Sequence, residues 1–416
     1  MKKIKQKSIL LFFYSTLLLI FSSCNLFEEG VATFEEQPFL LYSDISIVVP
    51  INYNNELFTI TKKDTIYHFS KILQDGSLEN LSELNSFTLP ERKIQNFETL
   101  TFNANSSNSE YFVVFGSPKA VLTEKIERSF THFLILNETG ALLKKFSIQN
   151  PYYDTIPMKY EKLVIRNNNS YLAFYSFTDV NGYLTRITIC EIDNNGNIYK
   201  TFENDIFNSF SLDSKLREVK ILQNGNILIF CDFFHFSFNF ETGVFSPLDL
   251  YFQDGGNYYY ANNISNVFEN EDNTVFISGF FSKDILSSSS VLGVLSQNGE
   301  IFGEIVTNNI EKLFVNYSFT PTNDGVLCCG YWTQDITLQS WNGENEIISN
   351  TMSIFKINSN GEITMKQDIN IQGTFLPVSV LERSDSTFLI VGGAKILNNT
   401  KALFTLKVDF QGNPIN

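Results

Sequence analysis

The chain has 416 residues, with 45 Asp+Glu against 30 Lys+Arg and a formal charge of −15. So acidic a chain repels nucleic acid and anionic lipid headgroups, and neither is expected as a partner. Phe (41) and Tyr (18) are abundant, a composition that suits strands rather than helices.

Residues 1–7 carry Lys2, Lys3, Lys5 and Lys7, and an apolar run from Ile9 to Phe21 follows, broken only by Ser15 and Thr16. The run is shorter than the ~20 apolar residues a transmembrane helix needs. A basic end, a short apolar core and small residues before a cut site describe a secretory signal peptide over residues 1–23. Ser22-Ser23 before Cys24 resembles a lipobox, with Phe21 where lipoboxes usually carry Leu. The resemblance implies cleavage before Cys24, a lipid on its sulfur and an acylated amine; the alternative is an ordinary secretory signal beside an incidental cysteine. Several acyl chains anchor stably where one holds only marginally. Asn25 rather than aspartate follows the cysteine, and Glu28-Glu29 resembles the acidic export signal of Bacteroidota surface lipoproteins. The expectation is a lipid-anchored outer-membrane protein, surface-exposed, with residues 24–31 as a tether and 32–416 as a single domain.

Beyond the tether one pattern recurs: an alternating strand, a short Asn/Asp-rich turn with Gly, and another strand. Its copies include "HFSKILQDGSL" (68–78), "TICEIDNNGNI" (188–198), "SIFKINSNGEI" (353–363) and "FTLKVDFQGNP" (404–414). The turn glycines fall at 76, 140, 196, 243, 299, 361 and 412, on average about 56 residues apart. Asn-Gly and Asp-Gly suit tight hairpins because those residues tolerate positive φ. A second hairpin precedes each copy, clearest in "VKILQNGNILIFCDF" (219–233). Four strands per repeat at this period mean propeller blades, and seven copies mean an all-β, seven-bladed β-propeller. Only four residues follow Gly412, too few for a last outer strand, whereas "ATFEEQPFLLY" (32–42) precedes the first blade unassigned. Unpaired edges invite aggregation, so residues 32–42 are expected to complete the last blade. Lipobox and repeats together resemble the β-propeller lipoproteins of the Bacteroidota, whose blades often read "LvKlDsnGni". That resemblance specifies architecture rather than activity.

The tight turns between the first and second and between the third and fourth strands of each repeat should share one face, leaving long loops on the other, where binding residues tend to sit. The richest loops are "NPYYDTIP" (150–157), "LYFQDGGNYYYANN" (250–263) and "YWTQDITLQSWNGENE" (331–346). Tyr152, Tyr153, Tyr258, Tyr259, Tyr260, Trp332 and Trp341 are the candidate ligand-binding platform for a glycan or peptide, the alternative for each being packing between blades. His68, His132 and His235 each stand eight residues before a turn glycine, which points to a repeated structural role rather than a metal site. "QDGGN" (253–257) offers oxygens for Ca²⁺ without the full ligand run of an EF-type loop, so no cofactor is expected. Cys190, Cys231, Cys328 and Cys329 lie in apolar runs without metal or redox spacing and read as buried thiols. "DTI" (64–66 and 154–156) and "DST" (385–387) resemble the O-glycosylation sequon of Bacteroidota, which would place glycans on Thr65, Thr155 and Ser386.

No GxSxG, HExxH, P-loop or Rossmann fingerprint is present. The leading expectation is a non-enzymatic binding or scaffold module whose partner is a glycan, a peptide or a protein of a surface complex. The alternative is a polysaccharide hydrolase or lyase with carboxylates converging at the pore; Asp154, Asp254, Glu344 and Glu346 are its loop acids.

Overall fold

Asx turns close the second hairpin of the repeats. Asp193 Oδ1 accepts the amides of Asn195 and Asn197, both at 2.8 Å. Asp409 does the same for Gln411 and Asn413, and Asn358 for Asn360 and Glu362. These side chains satisfy turn amides that have no ladder partner, which is why Asp and Asn recur three residues before the glycine. The turns punctuate a chain described by a computed structural model over residues 39–42, 45–53, 56–64, 66–84, 99–104, 110–116, 130–149, 158–167, 170–178, 184–193, 195–205, 216–232, 234–284, 287–306, 313–333, 351–370, 374–383, 386–396 and 400–415. All described residues belong to one compact unit, Pro38–Ile396 with Thr400–Asn416; Cys24, the tether and residues 32–38 lie outside the described residues.

After β1 (Phe39–Tyr42), the first sheet runs β2 (Ile45–Tyr53), β3 (Glu56–Lys63), β4 (Ile66–Ile72), β5 (Leu78–Glu83). The second is β6 (Thr99–Ala104), β7 (Glu110–Gly116), β8 (Phe130–Asn137), β9 (Leu142–Gln149). The third is β10 (Met158–Asn167), β11 (Ser170–Thr178), β12 (Leu184–Asp193), β13 (Ile198–Asp205). The fourth is β14 (Leu216–Ile221), β15 (Ile227–Cys231), β16 (His235–Asn239), β17 (Val244–Pro247). Five strands make the fifth: β18 (Tyr251–Asp254), β19 (Asn257–Glu269), β20 (Val275–Asp284), β21 (Ser287–Leu295), β22 (Glu300–Val306). The sixth is β23 (Leu313–Thr322), β24 (Gly325–Thr333), β25 (Thr351–Asn358), β26 (Ile363–Asn370). The seventh joins β27 (Thr374–Glu382), β28 (Phe388–Ile396) and β29 (Thr400–Val408) to β1.

In six sheets the order is simple and antiparallel; in the fifth, β18 pairs antiparallel with β19 and parallel with β22, so the strands close on themselves. The last sheet takes its outer strand from the other end of the chain, β1 against β29 from Phe39↔Leu406 to Tyr42↔Leu403. This is the pairing expected of the N-terminal segment, observed for its final four residues.

Hydrophobic clusters lie between successive sheets. Phe58, Ile60 and Phe69 of the first pack with Tyr111, Leu134 and Leu136 of the second. Equivalent clusters join the second to the third, third to fourth, fourth to fifth and fifth to sixth. Leu57 and Ile72 of the first sheet share a cluster with Leu381, Leu389, Val391 and Leu403 of the seventh. Between the sixth and seventh, Ser318 Oγ donates to the Val378 carbonyl at 2.6 Å. Central strands are therefore buried on both faces, as in the second strand of the fourth sheet, "ILIFC", where every residue is buried. Outer strands alternate, as in β26.

Turn glycines sit against the preceding sheet. A Cβ on Gly361 would lie 2.0 Å from the Phe302 carbonyl oxygen of β22, and one on Gly140 2.8 Å from Ser82 Oγ of β5. Gly76, in the first sheet, abuts Thr405 and Leu389 of the seventh, and its carbonyl accepts Thr405 Oγ1 at 3.0 Å and the Tyr42 hydroxyl at 3.3 Å. The fold is all-β and propeller-like. The expectation of one face built of long loops is corrected in part: few residues separate Lys63 of β3 from Ile66 of β4, Cys231 of β15 from His235 of β16, and Asp284 of β20 from Ser287 of β21.

Candidate functional site

The stretch at 250–263 is a tight hairpin, not the long open loop expected. Strand-forming aromatics flank Gly255 (φ 54°) and Gly256 (φ 84°), and two successive positive φ values are what a type I′ hairpin turn requires. Neither glycine is crowded, with nothing within 4 Å of a built Cβ. The register is Tyr251↔Tyr260, Phe252↔Tyr259, Gln253↔Tyr258 and Asp254↔Asn257. Successive strand side chains point to opposite faces, so the hairpin has two unlike sides.

Its inner side is apolar. Phe252 is buried, and Tyr259, half-buried, packs with it against Leu228, Phe230, Leu250 and Ala261. The outer side carries Tyr251, Gln253, Tyr258 and Tyr260. Tyr258 is 50 % exposed and Tyr260 57 %, and the Tyr251 and Tyr258 rings stand 5.8 Å apart at 56°. Two backbone hydrogen bonds fix the base of the hairpin, Tyr251 N to the Gly299 carbonyl at 3.2 Å and Ala261 N to the Leu250 carbonyl at 3.1 Å. Parallel pairing then places Glu300 beside Tyr251 and Ile301 beside Phe252. The alternation of β22 carries Glu300 and the 51 % exposed Phe302 to the outer side while Ile301 is buried. Loss of solvation, then the Glu300 carboxylate and the Tyr258 and Tyr260 hydroxyls, raise the pKa of the Tyr251 hydroxyl above its ordinary value. The site is thus a rigid three-stranded ribbon with exposed aromatics and one adjacent carboxylate.

Of the seven aromatic candidates, Tyr258 and Tyr260 are presented to solvent and Tyr259 turns inward. Trp332 is a correction. It is 1 % exposed, with Phe314 and Phe355 rings at 5.3 and 6.5 Å and Lys366 Nζ 5.4 Å from its own ring. Its indole N–H donates to Ser353 Oγ at 2.7 Å, the partner a buried indole requires. The residue is core between the fifth and sixth sheets and offers no face to a ligand. Tyr152, Tyr153 and Trp341 lie outside the described residues, as do Thr65, Thr155, Asp154, Glu344 and Glu346. Ser386 is exposed in the β27–β28 turn at φ 62°. Asp254 is exposed at the hairpin tip, on the side away from the tyrosine face. Tyr251 and Phe302 were missed by sequence reasoning; the register that brings them together depends on a parallel pairing between segments nearly 50 residues apart.

The other titratable candidates are structural. His132 is buried with Nδ1 2.7 Å from Ser147 Oγ, and His235 is buried against Phe230, ring centroids 5.7 Å apart. Burial lowers the His235 pKa from 6.5 to about 4, the Ala261 backbone offsetting part of the shift. A neutral His in the folded chain and a titrating one in the unfolded chain mean that stability is full above pH 6.5 and falls as pH drops toward 4. The loss approaches about 3 kcal/mol. Urea unfolding at pH 7 and pH 4 should show it, and His235→Phe should flatten that slope by about one proton; an unchanged slope would contradict the assignment. Burial also pushes the Cys190 thiol up to about 12 and raises Cys328 and Cys329, which disfavours the nucleophilic thiolate form.

No family model matches the chain, and no curated protein matches it. Solved structures similar to it include Saccharomyces cerevisiae core factor (9% identity, TM-score 0.44, 85% of this chain and 53% of that one). The WD40 domain of fission yeast SCAP is similar at 10% identity and TM-score 0.40, over 91% and 88% of the two chains. Prolyl oligopeptidase B of Galerina marginata is similar at 7% identity and TM-score 0.45, over 89% and 50%. The chain spans about half the length of the first and third of these.

Proposed function

We propose that the chain is a lipid-anchored outer-membrane lipoprotein, acylated at Cys24 and facing outward, that acts as a non-enzymatic binding module on a seven-bladed β-propeller. The observation that carries the binding role is the ribbon of β22, β18 and β19. It holds Tyr258 and Tyr260 in solvent beside the half-buried Tyr251, on strands fixed by hydrogen bonds on both edges. Soluble proteins rarely keep such aromatic patches exposed without an interaction to cover them, and pre-ordered side chains lower the entropic cost of binding. The seven-bladed reading is supported by the contacts that link each sheet to the next and the seventh to the first. Anchoring is supported by the basic, apolar and Ser-Ser-Cys succession at residues 2–24.

Both halves are tested on the full chain. Expressed in a bacterium that lipidates exported proteins, it should take up a fatty-acid label that Cys24→Ala abolishes; label retained in that variant would refute the anchor. On combined glycan and peptide arrays the detergent-solubilised chain should give a discrete set of ligands whose signal falls about tenfold or more in Tyr258→Ala/Tyr260→Ala, by loss of two exposed ring contacts. Equal signals from both proteins would place binding elsewhere.

A further inference from the structure

The outer side of the ribbon carries a carboxylate, Glu300, as well as aromatic rings. Tyr251↔Glu300 and Tyr251↔Tyr260 set three side chains in one row across three strands. With strands ~4.8 Å apart the row spans roughly 10 Å. Tyr258 lies two residues along β19 and Phe302 two residues along β22. Glu300 stands beside Tyr251 in the parallel ladder, so charge and ring are neighbours. An aromatic face is negative at its centre and attracts a cation held within about 6 Å. The carboxylate adds an opposite charge, and the chain as a whole carries −15, which draws basic partners in. Small-molecule sites are concave, whereas Tyr258, Tyr260 and Phe302 stand exposed on the outward side of paired strands. It suits a segment long enough to reach from Tyr258 to Phe302, with a basic side chain on the tyrosines and an apolar one on Phe302.

We infer that the ribbon binds an extended basic peptide segment, a lysine or arginine lying over Tyr251, Tyr258 and Tyr260 beside Glu300. The inference rests on the binding role proposed above and fixes its ligand class. An extended peptide brings alternate side chains to one face, so a basic one can meet the tyrosines while an apolar one meets Phe302.

Fluorescence anisotropy of the detergent-solubilised full chain tests it with three labelled hexapeptides: alternating Lys-Leu, its norleucine-for-lysine counterpart, and its glutamate-for-lysine counterpart. The lysine peptide should bind at least tenfold more tightly than either. Glu300→Gln should weaken it about fivefold, and Tyr258→Ala and Tyr260→Ala each by a similar factor. Tyr260→Phe, which keeps the ring, should retain most of the affinity, and unchanged thermal transitions would show that these exposed-site variants fold. Equal binding of the norleucine peptide, lost on Tyr258→Ala, would overturn the charge inference and leave the binding role standing. Lysine-peptide binding that ignores all the tyrosine variants would be diffuse attraction to an acidic chain and would overturn the inference. No binding of any peptide would also overturn it, and the array result would then decide the binding role separately.

Discussion

A chain lacking residues 25–42 should be less stable by on the order of 3–5 kcal/mol than one lacking only residues 25–38. The two differ by β1, the outer strand of the seventh sheet, so the difference isolates its pairing with β29. Without it the ladder bonds of Leu403 to Leu406 on that edge are unmade. Tyr42 also leaves the cluster where it packs with Leu57, Ile72 and Leu403, and Gly76 loses the tyrosine hydroxyl. β29 becomes a bare edge, a template for pairing with another chain. The shorter chain should therefore aggregate on heating where the longer one unfolds reversibly, as read by calorimetry with light scattering. Matching transitions would mean that β1 contributes nothing to the fold.

Gly361→Ala should cost on the order of 3 kcal/mol or more, against about 1–2 kcal/mol for Gly225→Ala. The comparison separates conformation from contact. Both glycines hold nearly the same backbone, φ 86° and 84°, so both pay the penalty of a side chain in the left-handed region. They differ in surroundings. Nothing lies within 4 Å of a Cβ built on Gly225, whereas one on Gly361 meets the Phe302 carbonyl oxygen at 2.0 Å and its carbon at 2.8 Å. Those are backbone atoms of the fifth sheet and cannot swing aside as a side-chain tip can. Relief requires the sixth sheet to move off the fifth, straining the bond from Ile363 N to Glu304 Oε1 and the packing of Phe276 with Phe319 and Phe355. Denaturant unfolding of the two variants measures the difference; equal losses would show that the two sheets do not abut there.

The repeat was legible because its turns need particular residues. Gly76, Gly140, Gly196, Gly243, Gly299, Gly361 and Gly412 all have positive φ, and the Asx residues before several of them bond as their spacing implies. The use of the N-terminal segment by the last sheet was legible for a different reason: one repeat lacked an outer strand and one segment had no place. Trp332 was misplaced because β24 is a central strand. All of Gly325 to Trp332 is buried, and a strand buried on both faces has no alternation to say which way a side chain points. In the sequence the tyrosine hairpin reads as a loop because four strands already fill its repeat. Its fifth strand depends on the parallel pairing of Tyr251 with Glu300, a contact for which local sequence carries no signal. The same strand makes the exposed face coherent, so the residues of the site could be named in part but its shape could not.

Closure of the first sheet on the seventh is the claim from which the rest follows, since it makes the scaffold rigid enough to present the ribbon. Photo-cross-linking from Tyr42→p-benzoylphenylalanine tests it most directly. The Tyr42 hydroxyl reaches the Gly76 carbonyl at 3.3 Å, and Tyr42 stands opposite Leu403 in the β1–β29 ladder. Irradiation of the full chain should yield intramolecular cross-links, mapped by mass spectrometry, to peptides containing Leu73–Leu78 and to β29. Cross-links confined to β2 and β3, or found only between chains, would contradict it.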